Sequence, residues 1–141
     1  MSLISPAYWL VKSEPDAFSW AAQQANRVEP WTGVRNYAAR NHLRAMRVGD
    51  LSFFYHSNQG KEIVGIVRVV RAAYPDPTAE AGDWSAVDMA AVDSLKTPVG
   101  LATMKADPAL DGLALLRQSR LSVMPVSPAH WRHICALGGL E

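Results

Sequence analysis

One segment of this chain, residues 63–73, constrains the fold more than any other. It is an apolar run rich in β-branched residues that only Arg68 and Arg71 interrupt. β-Branched side chains favour a pleated strand, and a run without alternation predicts a strand covered on both faces over much of its length. The next residues, 74–78, contain two prolines that cannot donate to a ladder, so we expect the strand to end before them.

The elements predicted around this strand follow one another in an irregular order. Further strands are expected at 8–12, 28–31, 51–56, 85–95 and 120–126. Helices are expected at 19–24 and 36–46, within 98–118, and from 127 to a closing Gly138. A doubly wound parallel sheet alternates strand and helix regularly, whereas this chain does not. The order favours an α+β fold with a curved, mostly antiparallel sheet or small barrel and helices at its ends.

Length and composition indicate a single globular domain spanning 1–141. With 141 residues, 49% hydrophobic and 19% charged, the chain needs no disulfide or metal to stabilise a core. Cys135 has no second cysteine to pair with, and His130 and His133 lack further ligands at metal-binding spacing, so we expect no metal or cofactor. No signal-peptide pattern and no apolar stretch of 18 residues are present. We therefore expect a cytoplasmic protein without a membrane span, with association with the nucleoid left open.

Charge is unevenly distributed along the chain. Residues 1–71 contain nine Lys/Arg and five Asp/Glu, and residues 72–141 contain five and eight, so the halves carry formal charges of +4 and −3. Within the basic half, Arg40, Arg44 and Arg47 form a stripe along the predicted helix and are candidates for phosphate contacts. The basic half is compatible with a polyanionic partner but does not require one.

An unusual stretch at 31–41 reads Trp-Thr-Gly-Val-Arg-Asn-Tyr-Ala-Ala-Arg-Asn. An indole face, asparagine amides and arginine forks together suit a nucleobase and its phosphate. A purely structural interpretation is equally open, in which Trp31 belongs to the core and Asn36 caps the following helix. The segment alone does not decide between these two interpretations.

Three strand ends carry further polar clusters, at Lys12–Glu14, His56–Asn58 and Pro75–Asp76. Each is ordinary turn chemistry by itself, but with Trp31 they would form a pocket if they converged at one mouth of a barrel. Such a pocket has the flat walls and the few donors and acceptors that a nucleobase needs. A hydrolase that uses His56 or Asp76 as base is the alternative enzyme interpretation.

Six segments, in collinear order, resemble the EVE domain family: 8–16, 31–41, 49–58, 63–66, 74–78 and 120–127. The first reads Tyr-Trp-Leu-Val-Lys-Ser-Glu-Pro-Asp, and together they span nearly the whole chain. The resemblance implies a PUA-like fold, a small twisted β-barrel with helices packed between and around the strands. It also implies a domain that binds DNA or RNA and holds a modified base, such as methylated or hydroxymethylated cytosine, usually without chemistry of its own. We expect this domain to be a monomer.

Carried over by motif, the pocket candidates are Ser13, Glu14, Trp31, Val34, Arg35, Asn36, His56, Ser57, Asn58, Pro75, Asp76, Arg120, Leu121 and Ser122. In this interpretation Trp31 stacks on the base and the serines and asparagines read its edge. The chain departs from the family after Thr78, where only five residues precede Trp84, and this leaves one pocket wall and the role of Trp84 open. A protein-interaction adaptor with a vestigial pocket is the remaining alternative.

Overall fold

The computed structural model describes residues 6–140 and contains a six-stranded sheet. Its strands are β1 (Tyr8–Ser13), β2 (Val28–Trp31), β3 (Leu51–His56), β4 (Glu62–Pro75), β5 (Ser85–Gly100) and β6 (Val123–Val126). Their order across the sheet is β2-β5-β4-β3-β1-β6. The ladder between β1 and β3 is parallel and the other four are antiparallel. The prediction of a mostly antiparallel sheet is therefore confirmed.

Closure of the sheet into a barrel is not confirmed, because β2 and β6 stand at the two ends of the strand order. The sheet is nevertheless irregular. The ladder between the long strands β4 and β5 shifts register four times, and the ladder between β3 and β4 shifts once, between Phe54 and Tyr55. Register shifts of this kind bend a strand and increase its twist. The curved sheet that we predicted is consistent with these irregularities.

In the described part of the chain, five α-helices and a short 3₁₀ turn pack on the sheet. They are α1 (Trp20–Asn26), α2 (Tyr37–Ala45), α3 (Leu101–Lys105), the 3₁₀ turn (Pro108–Leu110), α4 (Ala114–Arg117) and α5 (Pro128–Leu137). Ser19, Asn36 and Ser127 cap α1, α2 and α5, because each side chain accepts a bond from the backbone N–H three residues later. Within residues 6–140, no helix combines the length and apolar character needed to cross a bilayer.

Several predicted element bounds are wrong. Helix α2 ends at Ala45 and Met46 is extended, so Arg47 does not continue the helical stripe of Arg40 and Arg44. Strand β4 continues through Pro75, where its ladder with β5 ends, and β5 extends to Gly100 instead of Leu95. A proline is tolerated there because the ladder with β3 ends at Arg68, so that β4 is an edge strand at Pro75.

The two remaining corrections concern strand exposure and the last strand. Apart from the exposed Arg68, the residues of β4 are buried or half-buried through Val69, but most of its residues beyond Val69 are exposed. The ladder with β3 reaches only Arg68, and beyond it the sheet is a two-stranded ribbon with less cover. Strand β6 begins at Val123, so residues 120–122 are a connecting segment and not the start of the strand.

The core contains four of the five tryptophans. Trp9, Trp20, Trp31 and Trp131 are all less than 9% exposed, because large aromatic side chains contribute most to stability when they are buried. Trp84 is half-buried. The core thus uses its large aromatic residues to fill the space between the sheet and its helices.

Candidate functional site

A cleft of about 690 Å³ opens where β1 and β2 end. Its walls come from the end of β1 and the turn that follows, from β2 and the loop before α2, from the residue after β3, and from the segment before β6. The lining residues are Lys12, Ser13, Glu14, Ala17, Phe18, Glu29, Pro30, Trp31, Thr32, Gly33, Val34, Arg35, Ser57, Ser119, Arg120 and Ser122. Four segments distant in sequence therefore meet at one place.

Eight of the fourteen predicted pocket residues line this cleft: Ser13, Glu14, Trp31, Val34, Arg35, Ser57, Arg120 and Ser122. Parallel pairing explains part of the convergence, because Ser13 and His56 are register partners and the two strands end at the same edge. The backbone N–H of Ser57 donates to the carbonyl of Ser13 at 2.9 Å and joins the two ends. The contact of each residue with a ligand stays a prediction.

Six predicted residues do not line the cleft: Asn36, His56, Asn58, Pro75, Asp76 and Leu121. Asn36 is occupied as the cap of α2, and Leu121 is 6% exposed in the core. His56 is turned toward α1, where its Nε2 accepts the backbone N–H of Trp20 at 3.0 Å. Burial lowers the pKa of His56, although the charge of Glu62 opposes this, and the neutral ring suits its role as an acceptor.

Asp76 does not line the cleft but supports the part of its wall that residues 33–35 form. Its side chain is fully buried and accepts bonds from the backbone N–H of Gly33 at 2.8 Å, from Arg35 Nη1 at 2.9 Å, and from both the N–H and the hydroxyl of Thr78. Burial alone would raise the pKa of Asp76, but these bonds outweigh it and hold the pKa well below its usual value. Both carboxylate oxygens are therefore occupied, and the residue fixes the 33–35 wall.

The aromatic part of the cleft contains Trp31 and a residue that the sequence interpretation missed, Phe18. Trp31 is only 8% exposed and meets Phe18 and Phe54 edge to face, with ring centroids 6.1 and 5.7 Å apart. The stacking surface predicted for Trp31 is thus largely covered. Phe18 is half-buried and lines the same cleft, so the two side chains form one aromatic wall.

Polar lining residues were missed as well. Lys12 is half-buried, its Nζ donates to the carbonyl of Ser119 at 2.9 Å, and burial lowers its pKa. Glu29 lies two residues before Trp31 on β2, and strand alternation would have placed it on the same face. Lys12, Arg35 and Arg120 therefore share the cleft with Glu14 and Glu29, a mixed set of charges. The remaining missed lining residues are Ala17, Pro30, Thr32, Gly33 and Ser119.

The predicted phosphate contacts on α2 already have partners within the protein. Arg40 Nη1 donates to the carbonyl of Asp83 at 3.0 Å, and Arg44 Nη2 donates to Asp83 Oδ1 at 2.6 Å. Trp84 stacks on Tyr37 with ring centroids 5.0 Å apart, and the Arg40 guanidinium lies over the Tyr37 ring at 4.9 Å. The shortened loop before Trp84 is thereby attached to α2, outside the cleft.

Within residues 6–140, no group of three or more histidine, cysteine or acidic side chains could hold a metal ion. His133 instead pairs with Asp107, with 2.6 Å between Nε2 and Oδ2, and this bond lowers the pKa of Asp107. The cleft offers stacking, hydrogen-bonding and charged groups.

Solved structures resemble the whole chain. A protein from Agrobacterium tumefaciens is 48% identical with a TM-score of 0.93, over 95% of this chain and 94% of that one. Human THYN1 protein, solved in complex with DNA that contains 5-methylcytosine, is 32% identical with a TM-score of 0.87, over 96% of this chain and 99% of that one. An ASCH protein from Zymomonas mobilis, 12% identical with a TM-score of 0.57 over 93% of this chain and 95% of that one, shares the fold alone.

These likenesses support the predicted α+β fold of the PUA-like type, in the form of the six-stranded sheet with its five helices. The EVE domain family model matches residues 7–137, which is almost the entire chain. This span includes all six of the segments that resemble the family, in the same order. The chain belongs to the EVE domain family.

Proposed function

We propose that this domain binds nucleic acid and holds a modified base in the cleft, with 5-methylcytosine in DNA as the first candidate ligand. The observation that carries the proposal is the convergence of four segments on one cleft that combines an aromatic wall with polar groups. The human relative solved with 5-methylcytosine DNA, which this chain matches over 99% of that chain, supports the choice of ligand.

The cleft has the groups that such a base requires. Phe18, Trp31 and Val34 offer apolar surface to a base and to its methyl group. Burying one methyl group is worth about 0.8 kcal/mol, or a preference of roughly fourfold over the unmodified base. Ser57 offers its hydroxyl at the cleft wall for the base edge, and the Ser13 hydroxyl, which donates to the carbonyl of Phe18, keeps its capacity to accept a bond.

Charged side chains at the cleft add a contribution that does not depend on the base. Arg35 and Arg120 line the cleft and are both exposed, but Arg35 already donates to Asp76, so Arg120 is the more available of the two to a phosphate. Arg40 and Arg44 would need to exchange their bonds to Asp83 for a phosphate, whereas Arg47 is exposed beyond the end of α2. Affinity should therefore fall as salt concentration rises.

A binding panel tests this proposal. Fluorescence anisotropy would compare cytosine, 5-methylcytosine and 5-hydroxymethylcytosine in single- and double-stranded DNA and in RNA, at two salt concentrations. We expect measurable DNA binding, a preference of at least a few fold for a modified cytosine, and weaker binding at the higher salt concentration. An absence of binding at low salt would favour the adaptor alternative. Equal affinity for modified and unmodified cytosine would mean that the cleft does not hold the modified base.

A further inference from the structure

A second, smaller cavity adjoins the cleft. It has a volume of about 230 Å³ and shares Lys12, Ser57 and Ser119 with the cleft, so the two spaces meet along these residues. Its other lining residues are Tyr55, Asn58, Lys61, Leu101 and Leu115. The lining thus includes two lysines and no carboxylate, in contrast to the mixed charges of the cleft.

The Tyr55 hydroxyl has no hydrogen-bond partner in the part of the chain that the structure describes. The residue is only 3% exposed, and within residues 6–140 its hydroxyl makes no hydrogen bond. Among the described residues, the only fully enclosed side-chain nitrogen or oxygen without a partner is Gln23 Oε1. The Tyr55 hydroxyl is therefore not fully enclosed, and it opens to the cavity that Tyr55 lines. Buried tyrosines usually find a partner for this group. Burial also raises the pKa of Tyr55, which keeps the hydroxyl protonated and able to donate.

The fold places a positive charge beside this hydroxyl. Lys12 and Tyr55 are register partners in the parallel ladder of β1 and β3, so their side chains leave the same face of the sheet. The Lys12 ammonium is already positioned by its bond to the carbonyl of Ser119 at 2.9 Å, and it has further protons to donate. Lys61 is exposed at the rim, and its carbonyl accepts the N–H of Leu101 at 2.9 Å, which anchors its backbone.

We propose that this cavity receives a backbone phosphate next to the base in the cleft, with Tyr55, Lys12 and Lys61 as its donors. The inference rests on the proposed function, since the phosphate and the base belong to one nucleic-acid strand. A phosphate supplies the acceptor that the Tyr55 hydroxyl lacks, and its charge suits a lining with two ammonium groups. A free phosphate ion offers the same chemistry, so the experiment separates the two sources.

Two substitutions test the assignment, Tyr55→Phe and Lys61→Met, with Lys96→Met as the matched control because Lys96 is exposed and lines neither space. Tyr55→Phe should melt like the wild type, because the lost hydroxyl has no partner among the described residues of the free protein. Its affinity for DNA should fall roughly tenfold, as expected for a lost hydrogen bond to a charged group. Lys61→Met should reduce the salt slope of binding by about one, and Lys96→Met should change neither quantity.

A neutral methylphosphonate, placed at each linkage around the modified base in turn, identifies the phosphate. One linkage should weaken wild-type binding roughly tenfold or more, and it should weaken binding by the Tyr55→Phe protein less, because that protein has already lost one donor to the phosphate. The preference for the modified base should be the same in all these proteins. If the wild type discriminates between bases but Tyr55→Phe and Lys61→Met bind equally well, the phosphate site is wrong and the base site stands. If no oligonucleotide binds, both proposals fail. If oligonucleotides bind and inorganic phosphate competes with them, but no methylphosphonate weakens binding, the cavity takes the free ion and the assignment to a backbone phosphate is wrong.

Discussion

Two tryptophans with nearly the same exposure lie in different surroundings. Trp131 is 6% exposed and stacks on the rings of Tyr8 and Phe53, with interplanar angles of 15° and 19°. Trp31 is 8% exposed, meets Phe18 edge to face at 78°, and lines the cleft. We call Tyr8, Phe53 and Trp131 the sealed stack, and we call Phe18 and Trp31 the aromatic wall.

The difference between these regions shows that exposure alone does not separate a packing residue from a binding candidate. The sealed stack joins α5 to β1 and β3, because the Trp131 ring stacks on both of the other rings. Trp31 is the last residue of an edge strand, and the turn at Gly33, with φ of +80°, follows directly. Where the sheet ends, part of an otherwise buried ring borders open space.

The largest expected effect is a loss of stability in the sealed stack. Trp131→Ala removes a ring that contacts two others and should lower the free energy of unfolding by about 3–5 kcal/mol, measured by urea denaturation. The protein that remains folded should keep its preference for a modified base. A loss of less than 1 kcal/mol in the free energy of unfolding would mean that the stack tolerates a cavity. A changed preference for the modified base would mean that the stack also affects binding in the cleft.

A smaller loss is expected at Asp76, which supports the cleft from behind. Asp76→Asn should lower the free energy of unfolding at neutral pH by about 2–3 kcal/mol, because bonds to a charged acceptor are lost. The folded-state pKa of Asp76 lies below the ordinary value of 3.8, so its contribution is complete above about pH 5 and decreases as the pH falls.

Denaturation midpoints measured between pH 5 and pH 2 check the sign of this effect. The wild type should lose stability more steeply than Asp76→Asn, and the two curves should approach each other toward acid. Parallel curves over this range would contradict a low folded-state pKa for Asp76. Base preference should also fall in Asp76→Asn, since the backbone of Gly33 and the side chain of Arg35 lose their common acceptor.

Local features of this fold were predictable from the sequence, because they depend on neighbouring residues. The caps Asn36 and Ser127 follow from the preference of short polar side chains for helix starts. Strand β3 follows from its aromatic residues and was predicted with its bounds, 51–56. The bounds of β4 and β5 were harder to predict, since pairing between the two strands extends both beyond their local signals.

The candidate site was only partly predictable, because its contacts join residues far apart in the chain. Asp76 is bonded to Gly33 and Arg35, which lie more than forty residues away in the sequence. No local pattern distinguishes a carboxylate that supports the wall in this way from one that acts as a catalytic base in the cleft. His56 ends β3 beside the cleft as predicted, but its ring turns to Trp20. Phe18 was missed since a single apolar residue in a turn has no periodic signal.

The smallest expected effect separates the aromatic wall from the sealed stack most sharply. Phe18→Leu keeps an apolar side chain and should change the free energy of unfolding by less than about 1.5 kcal/mol. If the ring contacts the base, DNA affinity should fall roughly fivefold, which corresponds to about 1 kcal/mol of aromatic contact. Phe53→Leu is the matched control, because it makes the same change in the sealed stack and should leave affinity unaltered. Equal affinities for the two variants would mean that the wall, like the stack, serves only in packing.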